Sequence, residues 1–238
     1  MEINYKRILL KLSGEALAGN SNGPFDYSRI EAYMQEVKQA WQAGVNIGLV
    51  VGGGNIFRGL PGTNKGVDRI RGDYMGMLST VINGLAMRSI LENMGVESLI
   101  LSAIGMEPVA EKYSREKVEE AFYKNKVIIF VAGTGNPFFT TDTAAALRAV
   151  EMKADLLLKG TRVDGVFSDD PEKNPRAIKF DRITFTEAYS KGLAVMDLTA
   201  YTLCRENHLP LVVFNVNIQG NLMRIITGEP IGTLVVPE

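Results

Sequence analysis

Short apolar runs, rich in leucine and β-branched residues, alternate with amphipathic stretches along the whole chain. This alternation constrains the fold most, because strands that are apolar nearly throughout suit a largely parallel sheet that is buried on both faces. The predicted strands are Arg7–Leu12, Asn46–Val51, Ser98–Ser102, Val127–Ala132, Ala154–Lys159, Leu211–Asn215 and Thr233–Val236. The predicted helices are Tyr27–Ala43, Asp73–Met94, Ser114–Lys124, Thr141–Met152, Phe185–Lys191, Asp197–Asn207 and Gln219–Thr227. The pattern predicts one domain over 1–238, a three-layer α/β/α sandwich with a central, mostly parallel sheet.

The rarest residues exclude several classes of site. One cysteine, Cys204, cannot form an internal disulfide, and a single histidine beside it makes an ordinary His/Cys zinc site implausible. That histidine, His208, lies where a helix end meets a strand, so we interpret it as a surface residue. The net charge of -1 offers no general attraction to nucleic acid or membranes. No apolar run approaches the roughly 18 residues of a membrane span, and a cytoplasmic location is expected.

Glycine-rich clusters follow the first, second and fourth predicted strands, at Ser13-Gly14, Gly52-Gly53-Gly54 and Gly133-Thr134-Gly135. Ligands of open α/β sheets bind beyond the carboxyl ends of the strands, where glycine lets backbone N–H groups approach a phosphate. Tight turns alone would explain any one cluster, but three in equivalent positions favour phosphate binding. The chain has no Gly-Lys dipeptide and therefore no Walker A loop, and Phe138 occupies the third-glycine position of a dinucleotide fingerprint.

Cations lie close to these turns. Lys11 and Lys159 are at strand ends, and Arg58 follows the second glycine cluster. Each lysine alone is equally compatible with an ammonium that extends to solvent, but together the three cations fit phosphoryl transfer. Asp142 either orients the two lysines or caps a helix, a role for which Thr141 competes. Asp73 either caps a helix or accepts hydrogen bonds from ribose hydroxyls.

Longer motifs resemble the bacterial uridylate kinases of the amino acid kinase superfamily, over essentially the whole chain. The motifs are Lys11–Leu17, Gly52–Gly59, Asp73–Met77, Gly133–Asp142, Lys159–Phe167 and Val195–Asp197. The most specific is the string Gly-Asn-Pro-Phe-Phe-Thr-Thr-Asp at 135–142. The resemblance implies an amino acid kinase-like fold and the reversible reaction of ATP with UMP to ADP and UDP in de novo pyrimidine synthesis.

The resemblance also assigns residues to each substrate. ATP would be bound by Lys11, Leu12, Ser13, Gly14, Gly54, Arg58, Thr161, Phe167 and Asp170. Its phosphates would be contacted by Lys11, Ser13, Gly14, Gly54 and Arg58, and its base and ribose by Thr161, Phe167 and Asp170. UMP would be bound by Gly53, Asp73, Thr134, Gly135, Asn136, Pro137, Phe138, Phe139, Thr140 and Thr141. Lys11, Lys159 and Arg58 would stabilise the migrating phosphoryl group, and Asp142 would hold the lysines in place, with Asp197 a weaker candidate for that task. No general base is needed, because the attacking group is already a phosphate anion.

Several expectations concern metals and partners. Mg²⁺ is expected as MgATP, held mainly by nucleotide phosphates. Asp169-Asp170-Pro171 fits a magnesium site and a capping turn equally well, and Phe138 and Phe139 fit base stacking and core packing equally well. The resemblance implies UTP inhibition and a homohexamer, and the apolar positions Met75, Met77, Ile82, Leu85, Met87 and Ile90 suit a core, an interface or both. GTP activation is left open, because Arg88 and Lys126 suit a GTP site but Glu92 and Ser98 replace the basic or imidazole groups expected beside them.

Two other functions are compatible with the same fold. One is a related kinase whose acceptor is carbamate or a small carboxylate such as acetylglutamate. The other is a nucleotide-responsive regulatory protein that has lost turnover. The presence of Lys11, Arg58, Asp142 and Lys159 argues against the second.

Overall fold

The computed structural model describes residues 2–19, 23–58, 66–193 and 195–237, so Gly59 of the second motif lies outside it. Its strands are β1 Arg7–Leu12, β2 Asn46–Val51, β3 Ser98–Ser102, β4 Glu111–Lys112, β5 Val127–Val131, β6 Leu156–Thr161, β7 Val166–Phe167, β8 Lys179–Phe180, β9 Arg182–Thr184, β10 Leu211–Asn215 and β11 Thr233–Val236. Its helices are α1 Gly14–Ala18, α2 Tyr27–Gln42, α3 Arg69–Asn93, α4 Arg115–Tyr123, α5 Thr141–Glu151, α6 Phe185–Ser190, α7 Leu198–Glu206 and α8 Asn221–Ile226.

Nine of these strands form one sheet in the order β4-β3-β5-β2-β1-β6-β10-β11-β9. Every pairing in it is parallel except β10 with β11, which confirms the mostly parallel sheet predicted from the apolar runs. The short strands β7 and β8 pair separately as an antiparallel ribbon. The carboxyl ends of β1, β2, β5 and β6 therefore meet at one edge, and the glycine-rich turns lie there.

Side chains that alternate along the strands form two buried layers. In β1, Ile8, Leu10 and Leu12 face a core that α2, α3 and α8 cover, whereas Leu9 faces a core that α4, α5 and α7 cover. The side chains of a strand point alternately to opposite faces, so helices on both faces complete the predicted α/β/α sandwich. Within the described ranges, no helix combines the length and apolar character that a membrane span requires.

Helix boundaries differ from prediction at two functionally important places. Helix α3 begins at Arg69 with Asp68 as its N-cap, so the alternative that Asp73 caps this helix is wrong. Helix α5 is capped by Thr140, whose hydroxyl accepts hydrogen bonds from the N–H groups of Asp142 and Thr143. The capping alternatives for Thr141 and Asp142 are therefore also wrong. The carboxylate of Asp142 is left for other partners.

Candidate active site

Two lysines lie side by side at the centre of the sheet. Strands β1 and β6 pair in parallel with Lys11 opposite Lys159, so both side chains point to the same face of the sheet. Strand β6 extends to Thr161, two residues beyond the predicted end, and Lys159 is therefore inside the strand rather than its last residue. Nearby ammonium groups repel each other strongly when they are buried. Such a pair needs an anion between them.

Asp142 supplies that anion. Its Oδ1 lies 2.8 Å from Nζ of Lys11, and its Oδ2 accepts a hydrogen bond from Nζ of Lys159 at 2.7 Å. All three side chains are largely buried, with exposed fractions of 11% for Lys11, 16% for Lys159 and 16% for Asp142. We call these three residues the lysine–aspartate cluster. It carries one net positive charge when all three groups are ionised.

Burial and charge act on these groups in different directions. Burial pushes the pKa of Asp142 upward, but the ammoniums of Lys11 and Lys159 outweigh it and hold that pKa below its ordinary value. For Lys159, burial lowers the pKa and the neighbouring Lys11 adds to the effect, while Asp142 opposes both; the net direction is downward. The carboxylate is thus firmly ionised, and its ionisation keeps the two lysines together.

Asp197 fixes the segment that delivers Asp142. Its carboxylate caps α7 by accepting the N–H of Ala200 at 2.9 Å, and it accepts hydrogen bonds from the hydroxyls of Thr140 and Thr143. Lys159 also donates to the carbonyl of Val195, two residues before this cap. Asp197 therefore ties the start of α7 to the start of α5, and it acts on the cluster through these threonines.

The glycine turns pack closely against each other and against α3. A Cβ at Gly14 would lie 2.5 Å from Oδ1 of Asn55 and 2.7 Å from the backbone nitrogen of Gly54. A Cβ at Gly53 would lie 2.6 Å from the carbonyl oxygen of Gly76 in α3. At Gly54 it would meet nothing closer than 3.9 Å, so this residue faces open space. Gly14 and Gly53 are therefore needed for close packing, and Gly54 is accessible to a ligand.

The remaining predicted phosphate contacts lie around these turns. Arg58 forms an ion pair with Glu15, and both side chains are more than half exposed. Ser13 caps the short helix α1 by accepting the N–H of Ala16 at 3.1 Å. Leu12 differs from them, because its side chain is fully buried in the core and its carbonyl accepts the N–H of Gly52. The buried side chain of Leu12 cannot contact a ligand, so the prediction that Leu12 binds ATP applies only to its backbone.

Two adjoining cavities open at this edge of the sheet. The larger, about 590 Å³, contains Lys11, Ser13, Gly54, Arg58 and Lys159 in its lining. The smaller, about 440 Å³, is lined by Phe167 and Asp170 among other residues. Lys159 and Thr161 contribute to both linings. The residues expected to bind ATP therefore form one continuous region, with phosphate contacts in the larger cavity and the predicted base and ribose contacts in the smaller.

The Asp169-Asp170-Pro171 segment forms a turn. Oδ1 of Asp169 accepts the N–H of Asp170, and Oδ1 of Asp170 accepts the N–H of Glu172. Asp170 also pairs with Lys173 at 3.1 Å. These contacts favour the capping-turn interpretation of the sequence over the magnesium site.

The segment 134–141, which we call the Thr134–Thr141 loop, leads directly into Asp142. Asp73 anchors it, since one carboxylate oxygen accepts the N–H of Phe138 at 2.7 Å while both oxygens accept from Nε of Arg69. The backbone turns through left-handed conformations at Gly135 and Phe138, with φ of 82° and 73°. Thr134 and Asn136 close a local turn through the threonine hydroxyl. The exposed residues of this loop are Asn136, Phe138, Phe139 and Thr140.

Phe138 and Phe139 are 64% and 48% exposed, so the core-packing alternative for these residues is wrong. The guanidinium of Arg69 lies 5.5 Å from the centre of the Phe138 ring. Exposed rings on a loop that leads into the lysine–aspartate cluster suit base stacking. Of the other predicted contacts, Pro137, Thr140 and Thr141 lie in the same loop, and Gly53 packs against α3.

Sequence reasoning missed several residues of the cleft: Glu15, Arg29, Tyr33, Arg69 and Asn217. Glu15 lies within the Lys11–Leu17 motif. An acidic side chain beside a turn that is expected to bind phosphate is unusual, and this could have marked Glu15 as a residue of the cleft. Arg29 and Tyr33 are on α2, whose apolar residues at three-to-four spacing predict an amphipathic helix but do not indicate a binding role. Their position in the cleft depends on how α2 packs against the loop after β10, which no local pattern reveals.

The carboxylates of the cleft are already engaged. Asp142 contacts two lysines, Glu15 pairs with Arg58, and Asp197 caps a helix. Across the described ranges, no three His, Cys, Asp or Glu side chains cluster in a way that would hold a metal ion. This donor set suits a metal that arrives with the nucleotide phosphates and does not suit a resident ion.

Comparison with known proteins gives a consistent result. The model of the amino acid kinase family matches residues 6–215. A uridylate kinase of Phocaeicola vulgatus is 55% identical over 97% of this chain and 98% of its own, and one of Porphyromonas gingivalis is 54% identical over 97% of each. The crystal structure of a UMP kinase from Bacillus anthracis superposes with a TM-score of 0.95 at 37% identity, covering 98% of this chain and 97% of that one. These likenesses confirm the resemblance inferred from the motifs: the chain belongs to the amino acid kinase family and, within it, to the uridylate kinases.

Proposed function

We propose that this chain transfers the γ-phosphoryl group of MgATP to UMP, giving ADP and UDP, and that the lysine–aspartate cluster stabilises the group in transit. One observation supports this most. Lys11 and Lys159 line the cavity that holds the expected phosphate contacts of ATP, and Asp142, which bridges them, directly follows the Thr134–Thr141 loop that holds the expected UMP contacts. A group that moves from one nucleotide to the other would pass over Lys11 and Lys159.

The chemistry requires positioning and charge stabilisation more than proton transfer. The phosphate of UMP attacks through an oxygen that is already anionic, so no side chain has to remove a proton. Negative charge spreads over the migrating group and the leaving ADP. Ammonium groups that are already fixed in place stabilise this charge without reorganisation at the moment of reaction. Asp142 keeps Lys11 and Lys159 within reach of one another before substrates bind.

On the ATP side, Ser13, Gly14, Gly54 and Arg58 would contact the phosphates together with Lys11. Thr161, Phe167 and Asp170 would form the base and ribose site. Mg²⁺ enters as part of the MgATP substrate and neutralises phosphate charge there. The engagement of every cleft carboxylate described above supports this assignment.

On the UMP side, the Thr134–Thr141 loop would enclose the nucleotide, and Gly53 and Asp73 would support it. Uracil has both donor and acceptor groups on its edge, and a loop with Asn136, threonine hydroxyls and accessible backbone offers both kinds of partner. UTP carries the same base and ribose. We therefore propose that it inhibits by occupying the UMP site.

The exposed face of α3 supports the expected homohexamer. The apolar positions split between two faces, because Met77 and Met87 are buried in the core whereas Met75, Ile82 and Leu85 are 41–47% exposed. Ile70, Tyr74 and Leu78 extend the exposed stripe at helical spacing. We propose that a second copy of the chain covers this face in the hexamer. Sedimentation of the protein as a monomer would contradict it.

The groups suggested for GTP are already paired. Nε of Arg88 donates to Glu92 at 2.7 Å, and Nζ of Lys126 lies 3.3 Å from a carboxylate oxygen of Glu97. Ser98, the other position where a basic group is expected, is buried in β3. These contacts favour an enzyme whose activity does not depend on GTP.

We also propose a cytoplasmic site of action, where both substrates are available.

A coupled assay of ADP release tests the activity. The acceptors are UMP, CMP, carbamate and acetylglutamate, each with MgATP. We expect rapid ADP release with UMP and at least a hundredfold lower kcat/KM with each of the others, since a site built to hydrogen-bond one base rejects acceptors that leave its polar groups unpaired. Comparable turnover with carbamate or acetylglutamate would favour the related-kinase alternative. Binding of both nucleotides without ADP release would favour the regulatory alternative.

A further inference from the structure

One cation of the larger cavity lacks a carboxylate partner. Five basic side chains contribute to its lining: Lys11, Arg29, Arg58, Lys159 and Arg162. Lys11 and Lys159 share Asp142, Arg58 pairs with Glu15, and Arg162 pairs with Glu172 at 2.5 Å. Among the residues that the structure describes, Arg29 has no carboxylate within ion-pair distance.

Asp26, three residues before Arg29 in the sequence, acts mainly as the N-cap of α2. Oδ1 of Asp26 accepts the hydroxyl of Ser28 at 2.6 Å and the backbone N–H of Arg29 at 3.2 Å, which caps α2. The guanidinium of Arg29 makes a different contact, from Nη1 to Oδ1 of Asn217 at 3.4 Å. A guanidinium has five N–H donors. Most of its hydrogen-bonding capacity is therefore available to a ligand.

The side chain is nevertheless held in place. Oδ1 of Asn217 also accepts the hydroxyl of Tyr33 at 2.8 Å, one turn along α2 from Arg29. On the other side, a Cβ at Gly19 would come within 2.7 Å of Oδ2 of Asp26 and 3.0 Å of Nε of Arg29, so the absence of a side chain there leaves room for both groups. The Asp26 carboxylate attracts Arg29 from beyond ion-pair distance. Gly19 has φ of 55°, a conformation that favours glycine. Arg29 is thus oriented toward Gly19 and the cavity that both residues line.

We infer that Arg29 is a further ATP-binding residue, whose guanidinium contacts the β- and γ-phosphates of the nucleotide. The inference rests on the proposed use of this cavity for ATP. The triphosphate carries several negative charges, and the four other cations of the cavity are partly neutralised by their own carboxylates. Arg29 supplies a further cation with which no described carboxylate forms an ion pair, and its planar guanidinium can bind two phosphate oxygens at once.

Replacement by glutamine isolates this role, because Arg29→Gln keeps a hydrogen-bonding side chain and removes the charge. Isothermal titration with the Mg²⁺ complexes of ATP and ADP, and with AMP, measures affinity without any turnover. We expect ATP affinity to fall about tenfold, ADP affinity to fall less, and AMP affinity to change less than twofold. In steady-state assays the KM for ATP rises and the KM for UMP stays the same.

Arg224→Gln is the matched control. Arg224 likewise has Nη1 at 3.4 Å from an asparagine oxygen, of Asn221, but it pairs with Glu229 and is not in the lining of the cavity. It should bind all three nucleotides like the parent protein. If Arg29→Gln lowers the melting temperature of the ligand-free protein, Arg29→Lys carries the test. That variant keeps the charge and should lose only two- to fourfold in ATP affinity.

Unchanged ATP affinity in Arg29→Gln, or an equal loss for ATP and AMP, would overturn the inference. An equal loss would mean that Arg29 supports the shape of the cavity rather than the phosphates. Failure of the proposed reaction would be a separate result. The parent protein would then release no ADP in response to UMP, and the ATP titrations would still decide the role of Arg29.

Discussion

The two sides of the cleft are built in opposite ways. The lysine–aspartate cluster comes from the middle of a parallel sheet and the first turn of α5, and its charges are compensated by each other inside the protein. The Thr134–Thr141 loop is largely exposed, turns through left-handed backbone conformations and is anchored by two carboxylates, Asp73 at Phe138 and Asp197 at Thr140. A rigid charged cluster suits a step that needs fixed electrostatics, whereas an anchored loop suits selection of one acceptor. Changes to the cluster should therefore affect kcat, and changes to the loop should affect the KM for UMP.

The largest effect is expected from Asp142→Asn. The substitution leaves two buried ammoniums without their anion, a change that costs about 3–5 kcal/mol of stability when a buried pair is broken. We expect a lower melting temperature and a fall in kcat of at least a hundredfold, because the lysines no longer hold their positions. Thermal denaturation and the ADP-release assay measure the two effects. Asp181→Asn is the control, since Asp181 pairs with Lys179 at 3.4 Å on the surface and is 91% exposed.

The same variant has a defined pH dependence. Burial raises the pKa of Asp142, but the two ammoniums lower it more, so its folded-state pKa lies below the ordinary 3.8. The stabilisation is therefore fully present above pH 3.8 and is lost as the pH falls through the lower folded value. The difference in melting temperature between parent and Asp142→Asn should shrink only below about pH 4. A difference that already disappears near pH 6 would contradict this account of the cluster.

A smaller effect on a different parameter is expected from Asp73→Asn. The loop loses a charge-assisted hydrogen bond to Phe138 and the ion pair with Arg69. We expect the KM for UMP to rise about tenfold, which corresponds to roughly 1.4 kcal/mol, while kcat and the KM for ATP change by less than a factor of about two. Steady-state kinetics with each substrate varied in turn separates these parameters.

Asp68→Asn is the matched control for Asp73→Asn. Asp68 caps the same helix one turn earlier and forms an equivalent ion pair, with Arg71 at 2.6 Å. Asparagine caps helices about as well as aspartate does, so the KM for UMP should stay at the parent value. If both variants raised this KM equally, Asp73 would act through the stability of α3 rather than through the loop.

The cluster was easier to predict from the sequence than the loop. Lys11 and Lys159 stand out as cations on apolar strands, and the parallel sheet already places their ends at one edge. The sequence did not show that Lys11 and Lys159 lie directly opposite each other in the paired strands β1 and β6, because strand pairing is set by contacts between distant parts of the chain. The strands β4, β7, β8 and β9 were missed for a related reason. With two or three residues each, they are too short to show any periodicity.

The position of Asp73 illustrates a different limit. The segment Arg69-Ile70-Arg71-Gly72 is polar and ends in glycine, so it reads as the approach to a helix rather than its first turn. Asp68 nevertheless caps α3 there, and Asp73 lies inside the helix, where its side chain can reach the loop. The backbone contact to Phe138 joins residues 65 positions apart. Motif resemblance indicated that Asp73 matters, and the structure supplies a physical reason.

The smallest effect is expected from Phe138→Ala, which removes a ring but leaves the hydrogen bond between the Phe138 N–H and Asp73 in place. Stacking of a base on an aromatic ring contributes about 1 kcal/mol or more, so the KM for UMP should rise about fivefold with kcat unchanged. Tyr123→Ala, which truncates an exposed ring just before the amino end of β5, at the opposite edge of the sheet from the loop, should leave this KM at the parent value. The comparison of the two sides would fail if Phe138→Ala lowered kcat with no change in KM, because the loop would then take part in the chemical step. In Phe138→Ala the KM of dUMP should rise by the same factor as that of UMP, whereas the KM of ribose 5-phosphate, which carries no base to stack, should not rise. That pattern would place the Phe138 contact on the uracil ring.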